Sequence, residues 1–304
     1  MIFKDIETDQ EWSETTHIRN LFNWSYPVTV EDCQANFSRA SKERNEARFV
    51  GFSEGKIVTH GSVSQILNTE GGEYWFTAYA DPGDSFAARW FGEAVQEAIT
   101  RIQAFGGKKG MIEARGEFPW VGTTLEGLGF EKDMVLPFCG IETANTDHRL
   151  HPNVVSFEQF LAENPDDGLH RLWRCEMEIV VDLPLPYPFI ETPFETYSNF
   201  ILDPTVGLDS KFLYIEDGQL CGLSQLWPSK VNPALAMTGL TGVRREYRRH
   251  GVATKLKKHA IAWAKERNIE KIFTDNEENN PMYQLNLQLG FQRLFDYEVY
   301  SKTC

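Results

Sequence analysis

Positive charge is scarce in this sequence. Its 30 lysines and arginines stand against 44 aspartates and glutamates, a formal net charge of -14 over 304 residues. Nucleic acid and anionic membrane surfaces repel such a chain, so neither is an expected partner. Cysteine is sparse as well. Cys33, Cys139, Cys175, Cys221 and Cys304 are scattered singly, with no Cys-x-x-Cys pair and no histidine at zinc-ligand spacing, so reduced structural thiols and no metal centre are expected. No run approaches the roughly 20 apolar residues of a membrane span. The opening stretch MIFKDIETDQEW carries acids where a secretory signal needs basic and then apolar residues, so the cytoplasm is the expected compartment. Two nucleotide fingerprints are missing too. Neither the Walker pattern Gly-x-x-x-x-Gly-Lys-Ser/Thr nor the dinucleotide pattern Gly-x-Gly-x-x-Gly is present, which counts against Walker-type nucleotide binding and against NAD or FAD.

What is present suits a globular protein. With 41% hydrophobic, 13% aromatic and 24% charged residues the chain is expected to fold throughout, and its length suits two domains of ordinary size. In the second half, KFLYIEDGQLCGLSQLW sets Glu216-Asp217-Gly218 between two alternating runs, a hairpin signature. PALAMTGLTGV then reads as a buried strand. The helix that follows has Leu256, Ala260, Trp263 and Ala264 on one apolar face, with Lys255, Lys257, Lys258 and Lys265 elsewhere. EKIFTDN is another strand. Asn280-Pro281 opens a helix with Met282, Leu285 and Leu289 facing inward and Gly290 ending it, and a last strand carries Phe295, Tyr297 and Val299. The expected class is α/β, a mixed (α+β) sheet with helices on its faces.

The first half repeats this order in weaker form. Gly55 in the hairpin RFVGFSEGKIVTHGSVSQ precedes Gly218 by 163 residues, and Gly129-Phe130 precedes Gly290-Phe291 by 161. The polar segment ETANTDHRLHPNV between the halves places a boundary near residue 150, giving domains 1–150 and 151–304.

The positive charge that exists gathers at RRHGVATKLKK, residues 248–258. A helix start leaves backbone N–H groups without partners and adds partial positive charge, so anions bind there. Gly251 lets a ligand approach the backbone, Ala253 keeps the next position small, Arg248 and Arg249 add charge, and Thr254 adds a hydroxyl. His250 lies in the same loop, where it meets phosphate or faces solvent, and Val252 opens the helix. Strand, Arg-x-x-Gly-x-Ala, helix is thus a workable pyrophosphate cradle. A solvated basic helix start is the other reading of the same residues.

Arg248, Gly251 and Ala253, following Val243 and preceding a helix, resemble the acetyl-CoA signature of the GCN5-related N-acetyltransferase (GNAT) family. TDNEENNPMYQLNLQLGF resembles its second cofactor region, with Asn279 at the asparagine beside the pantetheine arm. More narrowly, the chain is similar to tandem members in which two such domains are fused, a layout like that of mycothiol synthase. The resemblance implies two tandem GNAT-like acyl-CoA N-acyltransferase domains, acetyl-CoA as cofactor, and transfer of acetyl to the amine of a small substrate by direct attack. The acidic balance leans toward a cationic amine. It also implies that backbone N–H groups of Gly242, Val243 and Arg244, Val243 foremost, polarise the acetyl carbonyl.

Two departures follow from the resemblance. Asn286 stands where many members carry the tyrosine that protonates the leaving thiolate, and Tyr283, three residues earlier, either takes that role or packs. No carboxylate occupies the strand position that often supplies the base; Thr238 and Thr241 can only relay protons, and Glu246, Glu277 and Glu278 suit the surface. A module that binds CoA without transferring is therefore the alternative reading. In the first half, Arg89, Gly92 and Ala94 spell the signature, but Glu93 and Trp90 crowd it, and a degenerate copy is expected there.

Overall fold

The computed structural model describes residues 1–67, 69, 72–185, 187, 189–203 and 206–304, with residues 41–43 by backbone alone. Contacts divide the chain into unit 1, residues 1–138 with 295–304, and unit 2, residues 139–294.

Unit 1 begins with β1 (Ile2–Asp5), α1 (Asp9–Phe22) and α2 (Val30–Glu43). Thr8 and Glu11 form a reciprocal capping box at the start of α1, and the Thr29 hydroxyl accepts the Asp32 N–H at the start of α2, so both helices begin where the sequence supplies a cap. β2 (Glu46–Ser53), β3 (Lys56–Gln65), β4 (Glu73–Ala80), α3 (Ala87–Ala104), β5 (Lys109–Arg115), α4 (Pro119–Gly127) and β6 (Glu131–Glu142) follow. β1 to β4 pair antiparallel in sequence order. β4 pairs with β5 in parallel, but only Glu73–Trp75 against Lys109–Met111. Trp90, Phe91, Ala94, Val95, Ala98 and Ile102 form the buried stripe of α3, spaced as one helical face requires.

Unit 2 contains β7 (Val154–Ser156), α5 (Phe157–Glu163), α6 (Gly168–Val180), α7 (Phe194–Ile201), β8 (Lys211–Glu216), β9 (Gln219–Pro228), β10 (Leu235–Val243), α8 (Val252–Glu266), β11 (Lys271–Asp275) and α9 (Pro281–Gln288). β7 to β10 pair antiparallel in sequence order, and β10 pairs in parallel with β11 only over Leu235–Met237. The final strand β12 (Gln292–Thr303) pairs its residues Tyr297–Thr303 with β5, which places the end of the chain in unit 1. Residues 143–146 stay with unit 2: the Thr143 N–H donates to the Glu270 carbonyl, and Lys265 Nζ donates to the carbonyls of Ala144 and Thr146. The division therefore falls earlier than the boundary near residue 150 read from polarity, because backbone pairing and not composition holds these segments.

The expected repetition is visible in backbone detail. Both hairpin turns take positive φ at two successive residues, 50° at Glu54 and 77° at Gly55, then 50° at Asp217 and 75° at Gly218. That turn matches the twist of the strands it joins. Each unit also ends its last helix alike: Phe130 N–H donates to the Leu125 carbonyl and Phe291 N–H to that of Asn286, across glycines 129 and 290 with φ of 79° and 98°.

Two details depart from the periodicity. Lys257 is buried on α8, its ammonium 5.6 Å from the Phe291 ring, because this helix is covered on more than one side. On α9, Tyr283 and Asn286 are buried while Met282 and Leu285 are only half-buried, and Leu289 just past its end is buried as expected, so the inward face is rotated in part from the one expected.

Candidate active site

The site grows from the end of β10. Its register with β9 pairs Gly242 with Leu223 and Val243 with Gly222, and the next N–H, that of Arg244, donates to the Cys221 carbonyl at 2.9 Å. Antiparallel alternation then turns the Gly242 groups toward β9 and the Val243 N–H and carbonyl away from it. That side is open, since β11 leaves β10 after Met237. Of the three expected N–H donors only Val243 thus faces the gap; Arg244 is a correction, its N–H being already engaged.

Arg248 Nε returns to the Val243 carbonyl at 2.9 Å, and its Nη2 lies 2.5 Å from Asp182. Arg245 pairs with the same carboxylate. Arg245 and then Arg248 hold the Asp182 carboxyl well below the usual carboxylate range. Arg248 therefore shapes the loop, and the exposed Arg249 carries no ion pair among the described residues. Arg249 and Gly251 take φ of 68° and 76°, which bends the chain sharply into α8. A Cβ built on Gly251 would meet nothing within 4 Å, so the space before the helix is open. The first helical hydrogen bond is Lys255 N–H to the Gly251 carbonyl at 3.0 Å, leaving the N–H groups of Gly251, Val252, Ala253 and Thr254 without acceptors among the described residues. Val252 is 2% exposed and contributes backbone only; His250 is exposed and Thr254 half-buried.

Downstream, the exposed Asn279 is tied to Glu277 through its N–H at 2.9 Å and its Nδ2 at 2.8 Å. Val243, Val252 and Tyr283 share one buried apolar cluster. The Tyr283 hydroxyl makes no hydrogen bond among the described residues. Asn286 is fully buried, its Nδ2 donating to Asn276 Oδ1 at 2.6 Å and its own Oδ1 lacking a partner.

A carboxylate absent from β10 arrives from a helix. Glu176 on α6 accepts a hydrogen bond from the Tyr197 hydroxyl at 2.9 Å and longer contacts from Gln225 Nε2 at 3.4 Å. Burial pushes its carboxyl up, against hydrogen bonds from Tyr197 and Gln225 and the nearby charge of Lys211. Gln225 in turn borders Gly239, where a Cβ would come within 3.0 Å of its Oε1, at the register shift between Thr238 and Thr241. One turn along α6, Ile179 packs on Gly242 so closely that a Cβ there would sit 2.1 Å from its Cγ2. Thr238 donates to Thr274 and Thr241 bonds Ser224, while Glu246, Glu277 and Glu278 engage Arg244, Asn279 and Arg293. Glu176 escaped the sequence reading because its neighbours, Cys175 and Met177, give no sign of a polar pocket.

Residues 169–291 match the acetyltransferase (GNAT) family. This segment is a GNAT acetyltransferase domain. Comparison with curated proteins found no match. Among solved structures, a tandem GNAT protein from the clavulanic acid biosynthesis pathway superposes with a TM-score of 0.73 at 16% identity, covering 99% of this chain and 98% of its own. A GCN5-related N-acetyltransferase from Sphaerobacter thermophilus gives 0.71 at 14% identity, covering 99% and 95%. A GNAT-family acetyltransferase from Colwellia psychrerythraea gives 0.62 at 15%, with both chains fully covered. These likenesses extend the tandem GNAT fold to the whole chain.

In unit 1 the GNAT signature Arg89, Gly92, Ala94 lies inside α3, and Gly92 faces Thr124 rather than open space. Before that helix, the Gly83 and Phe86 N–H groups are taken at 2.8 Å by the carboxylates of Asp81 and Asp84. Acids thus occupy donors that a phosphate would need.

Proposed function

We propose that the protein is an acetyl-CoA-dependent N-acetyltransferase that acetylates the amine of a small, preferentially cationic substrate, with the cofactor held by unit 2. The observation that carries this reading is the left-handed Gly251 with open space before it and four unpaired N–H groups behind it. The donor set fits a pyrophosphate: Gly251, Val252, Ala253 and Thr254 offer N–H groups, Arg249 and His250 offer exposed side chains, and Arg248 holds the loop in shape. Asn279 is proposed to border the pantetheine arm. When bound, acetyl-CoA supplies an acetyl group activated as a thioester.

The chain's own groups divide the remaining work. The Val243 N–H is proposed to orient the acetyl oxygen from the open side of β10. Glu176 is proposed to accept the proton of the attacking amine at a carboxylate oxygen, its raised pKa bringing it closer to the working pH of a general base. A carboxylate there also favours a cationic acceptor. Tyr283, whose hydroxyl has no competing partner among the described residues, is proposed to return a proton to the departing thiolate; Asn286 cannot act as an acid and steadies the helix through Asn276.

A second reading, a CoA-binding module without transfer, is favoured by Asn286 at the usual tyrosine position. One titration and one turnover assay separate the readings. Calorimetry with acetyl-CoA is expected to give one site per chain, abolished by Gly251→Asp, which adds bulk and negative charge at the phosphates. Release of free thiol with a panel of diamines, amino sugars and amino acid amides is expected only under the enzyme reading. Unchanged affinity in Gly251→Asp sinks the placement of the cofactor, and binding without turnover leaves the module.

A further inference from the structure

Unit 1 contains a cavity of about 230 Å³ between α1, α2 and strands β2, β3 and β4. Its chemistry differs from the acidic chain around it. Arg19 and Arg48 line it, and among the described residues no aspartate or glutamate does. Three of its lining residues carry a buried polar atom without a partner among the described residues: Thr16 Oγ1, Arg48 Nε and His60 Nε2. Thr16 is 5% and His60 7% exposed, so neither reaches bulk water to satisfy them. Unpaired buried polar atoms are costly, and three of them on residues that line one cavity call for a common occupant.

We infer that this cavity is a binding site for a small carboxylate, separate from the transfer chemistry of unit 2. All three orphaned groups can donate. Arg48 Nε–H and the Thr16 hydroxyl do so directly, and burial together with Arg48 and Arg19 lowers the His60 pKa to about 3, so its ring is neutral and can place its single N–H on Nε2. A carboxylate accepts several such bonds and adds a charge that two arginines favour. Glu46 already approaches Arg48 Nη2 at 3.7 Å, leaving charge for a monoanion rather than for a phosphate dianion. Trp12 and Val28 on the wall suit a short carbon skeleton. The volume is below the ~300 Å³ at which drug-sized ligands begin, so the ligand has few carbons.

The position also has a counterpart. Ser62 lies in this cavity and stands 163 residues before Gln225, the hairpin offset, so the cavity occupies in unit 1 the place of the Glu176–Gln225 pair in unit 2. Unit 1 thus keeps an acceptor-side cavity with reversed charge preference although its loop at 81–86 is filled by aspartates.

The test uses the full chain, with calorimetry and thermal unfolding in acetate, lactate, pyruvate, succinate and inorganic phosphate at constant ionic strength. At least one carboxylate is expected to bind once per chain and raise the melting temperature. Thr16→Val, nearly isosteric, should weaken it about fivefold, and Arg48→Lys, which keeps the charge but loses Nε–H, about ten- to hundredfold. Gly251→Asp should leave this binding unchanged, so the inference stands or falls apart from the acetyl-CoA site. Absence of carboxylate binding, preference for phosphate, or affinity unmoved in both Thr16→Val and Arg48→Lys would overturn it and leave the cavity to water.

Discussion

Arg248 Nε donates to the Val243 carbonyl at 2.9 Å, so the arginine of the signature braces the strand end whose N–H faces the open gap. Its charge is largely spent on Asp182. Arg248→Ala is expected to weaken acetyl-CoA binding about tenfold by loosening the loop, with Arg248→Gln falling between, since a glutamine amide can still reach a carbonyl. Calorimetry on both variants checks the order; equal loss in the two would remove the bracing role.

Under the proposed mechanism Glu176 sets an acid limb. Its carboxyl is raised by burial above the ordinary carboxylate range and must be ionised to take a proton, so kcat should fall as pH drops through that raised value. Glu176→Gln should lower kcat by about 10²–10⁴ and flatten the limb while leaving acetyl-CoA affinity nearly intact. A pH–rate profile with an active amine is the measurement.

Lys211 is expected to tune that limb. It is 1% exposed, its ammonium donates to the Gly207 carbonyl at 2.7 Å and lies 3.8 Å from the Trp227 ring, and its charge favours the ionised form of Glu176. Lys211→Met should therefore move the acid limb to higher pH. Burial lowers the Lys211 pKa from 10.5 to about 8. Between those values the unfolded chain binds more protons than the folded one, so the free energy of unfolding should rise with pH across that window. Denaturant titrations at several pH values should show that rise in the wild type and less of it in Lys211→Met.

Gly242→Ala should cost about 1–3 kcal/mol, because the new methyl would stand 2.1 Å from Ile179 Cγ2 and α6 would have to move. Glu176 lies one turn from Ile179, so kcat should fall with stability. A denaturant midpoint unchanged from wild type would show that α6 is free to shift.

Local pattern announced much of this protein. The positive-φ turns at Glu54-Gly55 and Asp217-Gly218, the strand into Arg-x-x-Gly-x-Ala into a helix, and the Asn280-Pro281 helix start all depend on neighbours a few residues apart, and the structure has each of them. The rotation of α9 and the burial of Lys257 were not legible, since the side of a helix that is covered depends on elements packed from elsewhere. Cys139 to Leu294 form one unit and the last ten residues belong with the other, a division made by strand pairing between β5 and β12 rather than by composition.

The sequence by itself determined the repeated order of elements and the tight glycine turn that opens α8, because turn chemistry, period and helix caps act over short range. Only the tertiary structure decided which groups meet. Glu176 and Gln225 are 49 residues apart, and Thr16, Arg48 and His60 come from three different elements. Their chemistry arises from shared burial, which raises the cost of an unpaired charge or donor and has no signature in any single stretch of chain.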